Sequence, residues 1–571
     1  MNSAMPIDPG AGAKPPRAGS REGWLAAILP ALGALLWLAG LGNRPLGEPD
    51  EGRYAEVARE MFSSGDWLTP RLDGFHFFDK PVLHYWVTAL FYSVFGVHEW
   101  TARLWVTLTA LLAVAVSGWA SGRLYGRSTG LLTAGVLGSN LLFFAGARIN
   151  TLDMDVAAFL SIAIGFFMVA QFDPTAIRHR TRLNLLGWES LALATLSKGL
   201  IGLVFPAMAI VVFMLWERRT AILRQLDIGW GLLLALAIAA PWYIAICVKH
   251  PDFFGYFFIR EHFGRFLTDV DDRGQPVWFF AAVTLLGLFP WVVFLPFTPA
   301  GWKRLAAGGP AERFLIGWVV VVLVFFSASH SKLPFYILPI FPALAMLIAK
   351  RMAVLGSQAL IARFMVMALL ATALAMVAMT WTAAARHLSQ TTDLHALLRW
   401  FAGGLAVLAL LGALAAAALM LGARRQPVLL LMALCALCVW QVLFACAGQG
   451  ADELSARPVA ELMRPWMRPD TQVFSVRAYQ RGLSFYLQRL VTIVDEHPAD
   501  IVPGVASRPG GFVPHIRDFE KRWSAAPHAL AVVAPDVLVR LRQDGLPMRV
   551  VGVAHAGVVI ARTPLPDVLG H

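Results

Sequence analysis

The stretch GEPDEGRYAEVAREM, residues 47–61, gathers five acidic residues and two arginines directly behind the first long apolar run of the chain. Asp50 is well placed to cap a helix that continues through Met61. Apolar side chains recur at helical spacing along one stripe of this helix, and the charged side chains lie elsewhere. The pattern predicts an amphipathic helix at a membrane surface, in which Glu56, Arg59 and Glu60 face solvent.

The composition is that of an integral membrane protein. Of the 571 residues, 58% are hydrophobic and 15% are charged, whereas soluble domains carry about 25% charged residues. The formal net charge of +12 would suit a nucleic-acid-binding protein, but the basic residues stand in short clusters between apolar runs. This is the positive-inside pattern of membrane proteins, so the sequence argues against a nucleic-acid partner.

The distribution of arginine predicts how often the chain crosses the membrane. Fourteen apolar runs approach the ~20 residues that cross a bilayer, and if all of them crossed, several arginine-rich loops would lie outside. If one of the apolar runs before residue 120 does not cross the membrane, these loops all lie in the cytoplasm. The run at 81–96 is the weakest, because it is short and its His, Tyr and Trp residues suit an interfacial helix. We therefore expect about thirteen spanning helices. The runs lie at residues 24–41, 81–96, 101–120, 129–147, 155–172, 183–197, 199–216, 228–247, 277–297, 313–327, 334–349, 362–383, 399–421 and 427–446.

This topology divides the chain into three parts. Residues 1–23 form a cytoplasmic tail, and residues 24–450 form a membrane domain whose first external loop covers about 42–100. The first apolar run is long enough to span and shows no small-residue cleavage site, so we expect a retained anchor. Residues 451–571 alternate strand-like and helix-like runs, which predicts a small external α/β domain.

Acidic side chains at the outer ends of helices are candidates for a site. Asp50 begins the first-loop helix, and Asp153 and Asp155 lie in RINTLDMD at the outer end of a span. Carboxylates so close to the hydrocarbon are costly, which favours a functional role. Asp50 serves either as an ordinary first-turn acid or as a group that points into a site. The Asp-x-Asp spacing would also suit a divalent cation, although this signal is weak.

Cations and a phenol are predicted on the same outer face. Lys80 follows Asp79 in GFHFFDKPVLHYW, Arg265 lies four residues after Glu261, and Tyr336 lies in HSKLPFYILP. Each has an ordinary interpretation as a membrane-surface anchor or an intrahelical partner. Together with the acids they predict a site for a charged lipid and a sugar, because cations compensate a phosphate and carboxylates orient hydroxyls or amines.

The motifs and their order resemble a known family. EPDEGRYAEVAREM is followed by SGDWLTPRLDGFHFFDKPVLHYW, RINTLDMD, LSKG, PWY, EHFGRF and SKLPFYILP, as in the bacterial aminoarabinose transferases that modify lipid A. These enzymes belong to the membrane glycosyltransferases of GT-C fold, with the protein O-mannosyltransferases and oligosaccharyltransferases. The resemblance spans most of the membrane part and adds little for the tail. It implies an all-α polytopic membrane protein with interfacial helices in the first external loop and a small periplasmic C-terminal α/β domain.

The resemblance also implies an activity and a location. Members of the family transfer 4-amino-4-deoxy-L-arabinose from undecaprenyl phosphate to lipid A phosphate groups, which confers resistance to polymyxin and cationic peptides. We therefore expect a multi-pass protein of the bacterial inner membrane with a periplasmic site. Two further readings stay open: the same chemistry with another polyprenyl-linked sugar or a protein hydroxyl as acceptor, and, more remotely, a lipid transporter. A transporter would show internal repeats and charges near the bilayer midplane, and neither is evident.

Site residues follow from the resemblance position by position. Six positions match the family, two catalytic acids and four groups at the carrier phosphate: Asp50 and Asp153, then Lys80, Arg265, Tyr336 and, as a less direct match, Arg53. Asp79 stands where the family often has a glutamate, and no role is assigned to it. We expect no required cofactor. Related oligosaccharyltransferases use a divalent ion, which here would be held by the acids with His262.

Overall fold

The computed structural model of the chain describes residues 21–218, 220–264, 274–385 and 392–562. Most of these residues are helical, as the apolar periodicity predicts. The α-helices, numbered in chain order, are α1 (Arg21–Leu38), α2 (Asp50–Ser64), α3 (Leu83–Phe95), α4 (Glu99–Tyr125), α5 (Arg127–Ser139), α6 (Leu141–Gly146), α7 (Leu152–Phe172), α8 (Arg180–Lys198), α9 (Ile201–Glu217), α10 (Ile222–Gln225), α11 (Ile228–Lys249), α12 (Asp252–Phe254), α13 (Phe279–Gly287), α14 (Pro299–Ala306), α15 (Pro310–Ala328), α16 (Phe341–Val354), α17 (Ser357–Ala385), α18 (Thr392–Met420), α19 (Arg425–Ala447), α20 (Arg457–Met463), α21 (Leu483–Leu487), α22 (Ile516–Ala525) and α23 (Pro535–Gln543).

Each of the fourteen apolar runs coincides with one helix or with two consecutive helices. Within the described ranges, eight helical segments are long and apolar enough to cross a membrane. They are Glu99–Tyr125, Leu152–Phe172, Ile228–Lys249, Pro310–Ala328, Pro334–Val354, Ser357–Thr382, His395–Met420 and Arg425–Ala447. The polytopic helical fold is confirmed, and the count of about thirteen crossings stays a prediction.

The weakest apolar run forms a helix that is too short to span. α3 has 13 residues, which at 1.5 Å per residue reaches about 20 Å of the ~30 Å hydrocarbon core. It packs between α2 and α4. The interfacial assignment of this run therefore agrees with the length that the structure gives it.

Helix α7 lies at the centre of the bundle. Of its apolar window 89% is buried within the protein, and it packs against α4 and α8. An apolar helix that is covered on all sides by neighbouring helices has little freedom to move, because protein interiors are closely packed. Side chains in its first turn are therefore held at a fixed place near the outer surface.

The C-terminal domain is the predicted α/β unit. Its sheet has the order β5-β4-β3-β6-β8-β7, with β3 to β6 parallel and β7 and β8 antiparallel. Helices α22 and α23 pack over one apolar face of this sheet. The small domain is confirmed, while its boundary near residue 450 stays a prediction. The strands are β1 (Arg71–Leu72) and β2 (Phe75–His76) in the first loop, then β3 (Gln472–Val476), β4 (Thr492–Val494), β5 (Phe512–Val513), β6 (Ala529–Val533), β7 (Arg549–Ala554) and β8 (Gly557–Ala561).

The expectation that one side of α2 faces solvent is wrong. Glu56 is fully buried, and Arg59 and Glu60 are 7% and 5% exposed. The Arg59 guanidinium donates to both carboxylate oxygens of Glu56 at 2.6 Å, and Glu60 accepts from the backbone N–H of Gly74 in the β1–β2 hairpin. The charged side is buried because this hairpin and the C-terminal domain close over it, which the local sequence pattern does not reveal.

Two carboxylates of the first loop tie it to the C-terminal domain. Glu48 accepts backbone hydrogen bonds from Arg481 at 3.0 Å and Gly482 at 2.6 Å. Asp73 is fully buried and accepts from the hydroxyl of Tyr479 at 2.7 Å. These hydrogen bonds hold the C-terminal domain against the first external loop.

Candidate functional site

A polar cavity with a volume of about 150 Å³ lies at the outer end of α7. It is far larger than the ~10–15 Å³ that a single water requires. Its wall is formed by helices α2, α7, α8, α9 and α15, by the π-helical segment Gly255–Gly264, and by the segments that precede α3 and follow α15. Its lining comprises Asp50, Arg53, Tyr54, Asp79, Lys80, Leu152, Asp153, Lys198, Ile201, Phe257, Glu261, Phe325, Phe326, Ser329, Ser331, Leu333 and Tyr336.

Five of the six predicted site residues line this one cavity. They come from four separate parts of the sequence: Asp50 and Arg53, Lys80, Asp153, and Tyr336. Arg265 lies outside the described residues. The roles of all six stay predictions, but the structure places five of them close enough to contact one small ligand.

Asp50 reaches the cavity from the first turn of α2. The N-cap position is Pro49, and the Asp50 side chain forms no capping hydrogen bond, so the expected cap is wrong. Its carboxylate lies 3.4 Å from the Arg53 guanidinium, one turn further along, and is 38% exposed. An acid that is not used as a cap is free to contact a ligand in the cavity.

Arg53 is buried between α2 and the C-terminal domain. Its Nε lies 3.1 Å from a carboxylate oxygen of Asp500, and the guanidinium lies 5.8 Å from the centre of the Tyr54 ring. Burial alone would lower the pKa of Arg53, but the negative charges around it, of which Asp500 contributes most, together outweigh burial and raise the pKa. The cavity wall therefore holds a permanently charged guanidinium.

Asp153 pairs with a lysine that sequence reasoning did not assign. The Lys198 ammonium donates to Asp153 and lies 4.5 Å from the centre of the Tyr336 ring. Lys198 ends α8 within the LSKG motif, which contributed only to the family resemblance. A lysine at the end of an apolar helix is usually a membrane anchor, so its position gave no distinct signal.

Asp153 and Asp155 do not act as a pair. Two residues along a helix turn a side chain by about 200°, and Asp155 accordingly faces the inside of the bundle. It is fully buried, lies 2.7 Å from Nδ1 of His84 and accepts from Thr109 at 3.3 Å. The Asp-x-Asp spacing therefore places one acid in the cavity and one in the packed interior.

Lys80 lines the cavity from the segment that precedes α3. Its ammonium lies 3.2 Å from Glu261 of the π-helical segment and donates to the backbone carbonyl of Asp79 at 2.9 Å. The Asp79 carboxylate accepts from the hydroxyl of Tyr256 at 2.5 Å. π-helical geometry is rare and is frequently found at functional sites, and this ten-residue segment presents both a carboxylate and a phenol toward the 79–80 segment.

The described lining carries both signs of charge on one small surface. Four carboxylates and three cations face the cavity: Asp50, Asp79, Asp153 and Glu261, with Arg53, Lys80 and Lys198. Phe257, Phe325 and Phe326 form an apolar part of the wall. Such a lining complements a ligand that has an anion, a cation and an apolar tail, because each group meets a partner of suitable chemistry.

The described residues do not form a metal site. Among them, no group of three or more His, Cys, Asp or Glu side chains is arranged to hold a metal ion. Asp153 is paired with Lys198, whose charge competes with a metal for the same carboxylate. The side chain of His262 lies outside the described side chains.

Comparison with known families divides the chain in two. Residues 459–562 match the family described as the aminoarabinose transferase C-terminal domain, and residues 79–244 match the dolichyl-phosphate-mannose-protein mannosyltransferases. The tail, for which the motifs gave little, is thus the part with a direct match to aminoarabinose transferases.

Curated relatives are about one third identical to this chain over the part that aligns. The undecaprenyl phosphate-alpha-4-amino-4-deoxy-L-arabinose arabinosyl transferase of Aeromonas salmonicida is 35% identical over 324 residues, 56% of this chain and 58% of the relative. A relative from Sodalis glossinidius is 36% identical over 337 residues, 57% of this chain and 58% of its own length. The chain therefore spans less than two thirds of the curated relatives it matches.

Solved structures extend the likeness to nearly the whole chain. ArnT from Cupriavidus metallidurans bound to undecaprenyl phosphate superposes with a TM-score of 0.88 and 29% identity, covering 96% of this chain and 100% of that one. The archaeal oligosaccharyltransferase AglB from Archaeoglobus fulgidus superposes with a TM-score of 0.50 and 12% identity, covering 90% of this chain and 70% of that one, and shows the fold alone. The motif order, the two family matches and the near-complete superposition show that the chain is similar to the aminoarabinose transferases and has the fold of the GT-C membrane glycosyltransferases.

Proposed function

We propose that this protein transfers 4-amino-4-deoxy-L-arabinose from undecaprenyl phosphate to phosphate groups of lipid A. The observation that carries the proposal is the cavity in which two predicted acids face three cations. A phosphate-linked amino sugar has an anion and an ammonium group a few atoms apart, so it needs such a mixed lining. The names of the curated relatives and the undecaprenyl phosphate bound to ArnT of Cupriavidus metallidurans support this donor.

The leaving phosphate is assigned to the cationic part of the wall. Lys80 and Lys198 bring two ammonium groups to the cavity, and Arg53 brings a guanidinium. The Tyr336 hydroxyl is a further donor, and Arg265 is expected to contribute from outside the described residues. As the glycosidic bond breaks, its electron pair moves to the bridging phosphate oxygen, and fixed cations stabilise the charge that develops there.

The acceptor needs no strong base. A phosphate monoester of lipid A is already ionised near neutral pH, because its second pKa is about 6. One of its oxygens forms the new bond to the anomeric carbon as the bond to undecaprenyl phosphate breaks, so no proton has to be removed. We therefore assign Asp50 and Asp153 to holding the sugar and its ammonium and to stabilising the oxocarbenium-like transition state.

The proposed setting is the bacterial inner membrane, with the cavity and the C-terminal domain on the periplasmic side. The positive-inside distribution of arginine supports this orientation. Capping lipid A phosphates with an amino sugar lowers the negative charge of the cell surface, so the activity would confer resistance to polymyxin and cationic peptides.

Single-turnover transfer tests the roles of the two acids. With a preloaded donor, Asp50→Asn and Asp153→Asn are each expected to slow transfer about 100-fold, the loss typical of removing one electrostatic stabiliser. Asp252→Asn, at an exposed acid beside the outer end of α11, is the matched control and should transfer normally. Near-normal rates for both cavity variants would contradict the assignment.

The second candidate is transfer to a protein hydroxyl, which the match of residues 79–244 to protein mannosyltransferases favours. A hydroxyl acceptor must lose a proton, so transfer would then depend on a general base and show a basic limb in its pH profile. Mass spectrometry of lipid A from cells with and without the gene separates the two. Added aminoarabinose supports the main proposal, and unchanged lipid A defeats it.

We also propose that no cofactor is required. The charged groups named above belong to the chain itself, and transfer should continue at its full rate in excess chelator. A loss of activity that returns on addition of one divalent metal would contradict this proposal.

A further inference from the structure

The C-terminal domain reaches the cavity through one buried acid. Asp500 lies in the loop between β4 and the 3-10 segment Val502–Ser507 and is 8% exposed. Its carboxylate lies 3.1 Å from Nε of Arg53, whose side chain lines the cavity. An acid that lies outside the cavity thus contacts a cation that lies inside it.

Asp500 is itself held rigidly. The guanidinium of Arg481 donates to both of its carboxylate oxygens, at 2.6 and 2.8 Å, and such two-point pairs fix orientation as well as position. Burial raises the pKa of Asp500, but the hydrogen bonds from Arg481 and the charge of Arg53 outweigh it and hold the pKa below its usual value. Asp500 is therefore ionised and fixed when it meets Arg53.

The geometry decides which donors of Arg53 reach a ligand. Asp500 lies at Nε, and Asp50 lies 3.4 Å from Nη1. A guanidinium has five donors in a planar fork, so a buried carboxylate at Nε and a second carboxylate near Nη1 restrict the direction of the plane and leave further N–H donors for a ligand. Without Asp500, Arg53 would pair with Asp50 alone. Arg53 would then be less available to the donor phosphate, and Asp50 would be less available to the sugar.

We infer that Asp500 is a positioning residue for the transfer reaction, which orients Arg53 toward the phosphate of the polyprenyl donor from the C-terminal domain. The inference rests on the proposed function, because it takes a polyprenyl phosphate as the ligand of Arg53. It gives the C-terminal domain a part in the site that the cavity lining alone does not show.

A double-mutant cycle in the full-length protein tests the inference. Asp500→Asn is expected to lower kcat/KM for the donor about tenfold in the wild-type background, and Asp500→Glu to restore part of that loss. In an Arg53→Gln background, Asp500→Asn should change kcat/KM less than twofold, because Asp500 acts through Arg53. A tenfold loss in both backgrounds would overturn the inference and leave Asp500 a structural group.

Tyr479→Phe is the matched control for docking of the C-terminal domain. It removes the buried hydroxyl that donates to Asp73 at 2.7 Å and does not touch Arg53. We expect this variant to lower the unfolding temperature at least as much as Asp500→Asn while keeping its kcat/KM within twofold of wild type. An equal loss of kcat/KM in the two variants would show that loosened docking alone explains the effect, and would overturn the inference.

A second readout separates this inference from the proposed function. Binding of undecaprenyl phosphate to the purified protein in detergent should weaken about tenfold in Asp500→Asn. If the wild-type protein transfers no aminoarabinose, the proposed function fails whatever the variants do. If the wild type is active and Asp500→Asn equals it in both transfer and binding, only the positioning role is overturned.

Discussion

At the residue scale, the site depends on which way single side chains point. Asp153 and Asp155 are two residues apart in one motif, yet one lines the cavity and the other lies 2.7 Å from His84 in the packed interior. Helical geometry explains the difference, because a step of two residues turns the side chain to the opposite face. The motif identified the right segment, and the helix determined which of its acids is available.

Lys198 provides the residue-scale prediction. Its ammonium contacts Asp153 and the Tyr336 ring, so Lys198→Met would leave an acid without its partner and remove a cation from the phosphate side. We expect transfer to fall about 100-fold, measured under single-turnover conditions. Lys249→Met, at a lysine whose side chain is 44% exposed at the end of α11, should transfer normally. Equal activity of the two variants would show that Lys198 is only an anchor.

At the element scale, α2 is the helix whose surroundings differ most from expectation. Its pattern of apolar and charged residues is that of a helix with one solvent-exposed side, yet the residues from Glu51 to Met61 are all buried. The β1–β2 hairpin and the C-terminal domain supply the partners that water would otherwise supply. An element-level pattern records which residues are polar, and it does not record whether water or protein satisfies them.

Gly52 carries the element-scale prediction, because α2 approaches the C-terminal domain there. A Cβ added at Gly52 would lie 2.7 Å from Cα and 2.8 Å from N of Gly482, and backbone atoms cannot move aside. Gly52→Ala should therefore destabilise the docked state by about 1–3 kcal/mol, seen as a lower thermal unfolding temperature. Gly403→Ala, where nothing lies within 4 Å, is the control. Full stability of Gly52→Ala would show that the two backbones are not in tight contact.

At the scale of the whole molecule, two domains of different class meet beside the site. The membrane bundle supplies the cavity, and the C-terminal domain closes over α2 and contacts Arg53 through Asp500. Buried carboxylates of the first loop make this junction sensitive to pH. Burial raises the pKa of Glu48 to about 7, although backbone hydrogen bonds from Gly482 and Arg481 oppose the shift.

The whole-molecule prediction concerns stability against pH. Because the folded pKa of Glu48 exceeds the usual value of 4.5, the folded state binds more protons than the unfolded state between about pH 4.5 and 7. The stability contributed by Glu48 is therefore complete below this range and is lost as the pH rises through it. In Glu48→Gln that dependence should be absent.

Thermal unfolding in detergent at a series of pH values measures this contribution. The difference between wild type and Glu48→Gln cancels other groups that titrate in the same range, such as Glu56 with its pKa raised by burial to about 6. The unfolding temperature of the wild type relative to that of Glu48→Gln should fall between pH 5 and pH 7.5 and stay constant above pH 7.5. A difference that does not change with pH would contradict the raised pKa.

The sequence by itself determined the class of the molecule and the segments of the site. Long apolar runs dictate spanning helices because a bilayer core satisfies no backbone polar group, and the outer motifs named five residues that line one cavity. The alternation of short strands and helices likewise determined the C-terminal domain.

Only the tertiary structure decided the contacts that join distant parts of the chain. Lys198 meets Asp153 across 45 positions, and Asp500 meets Arg53 from another domain. The burial of Glu56 and Glu60 likewise follows from what packs over α2. Local pattern reports what a residue prefers, whereas its partner, its burial and its pKa depend on which distant segment folds against it.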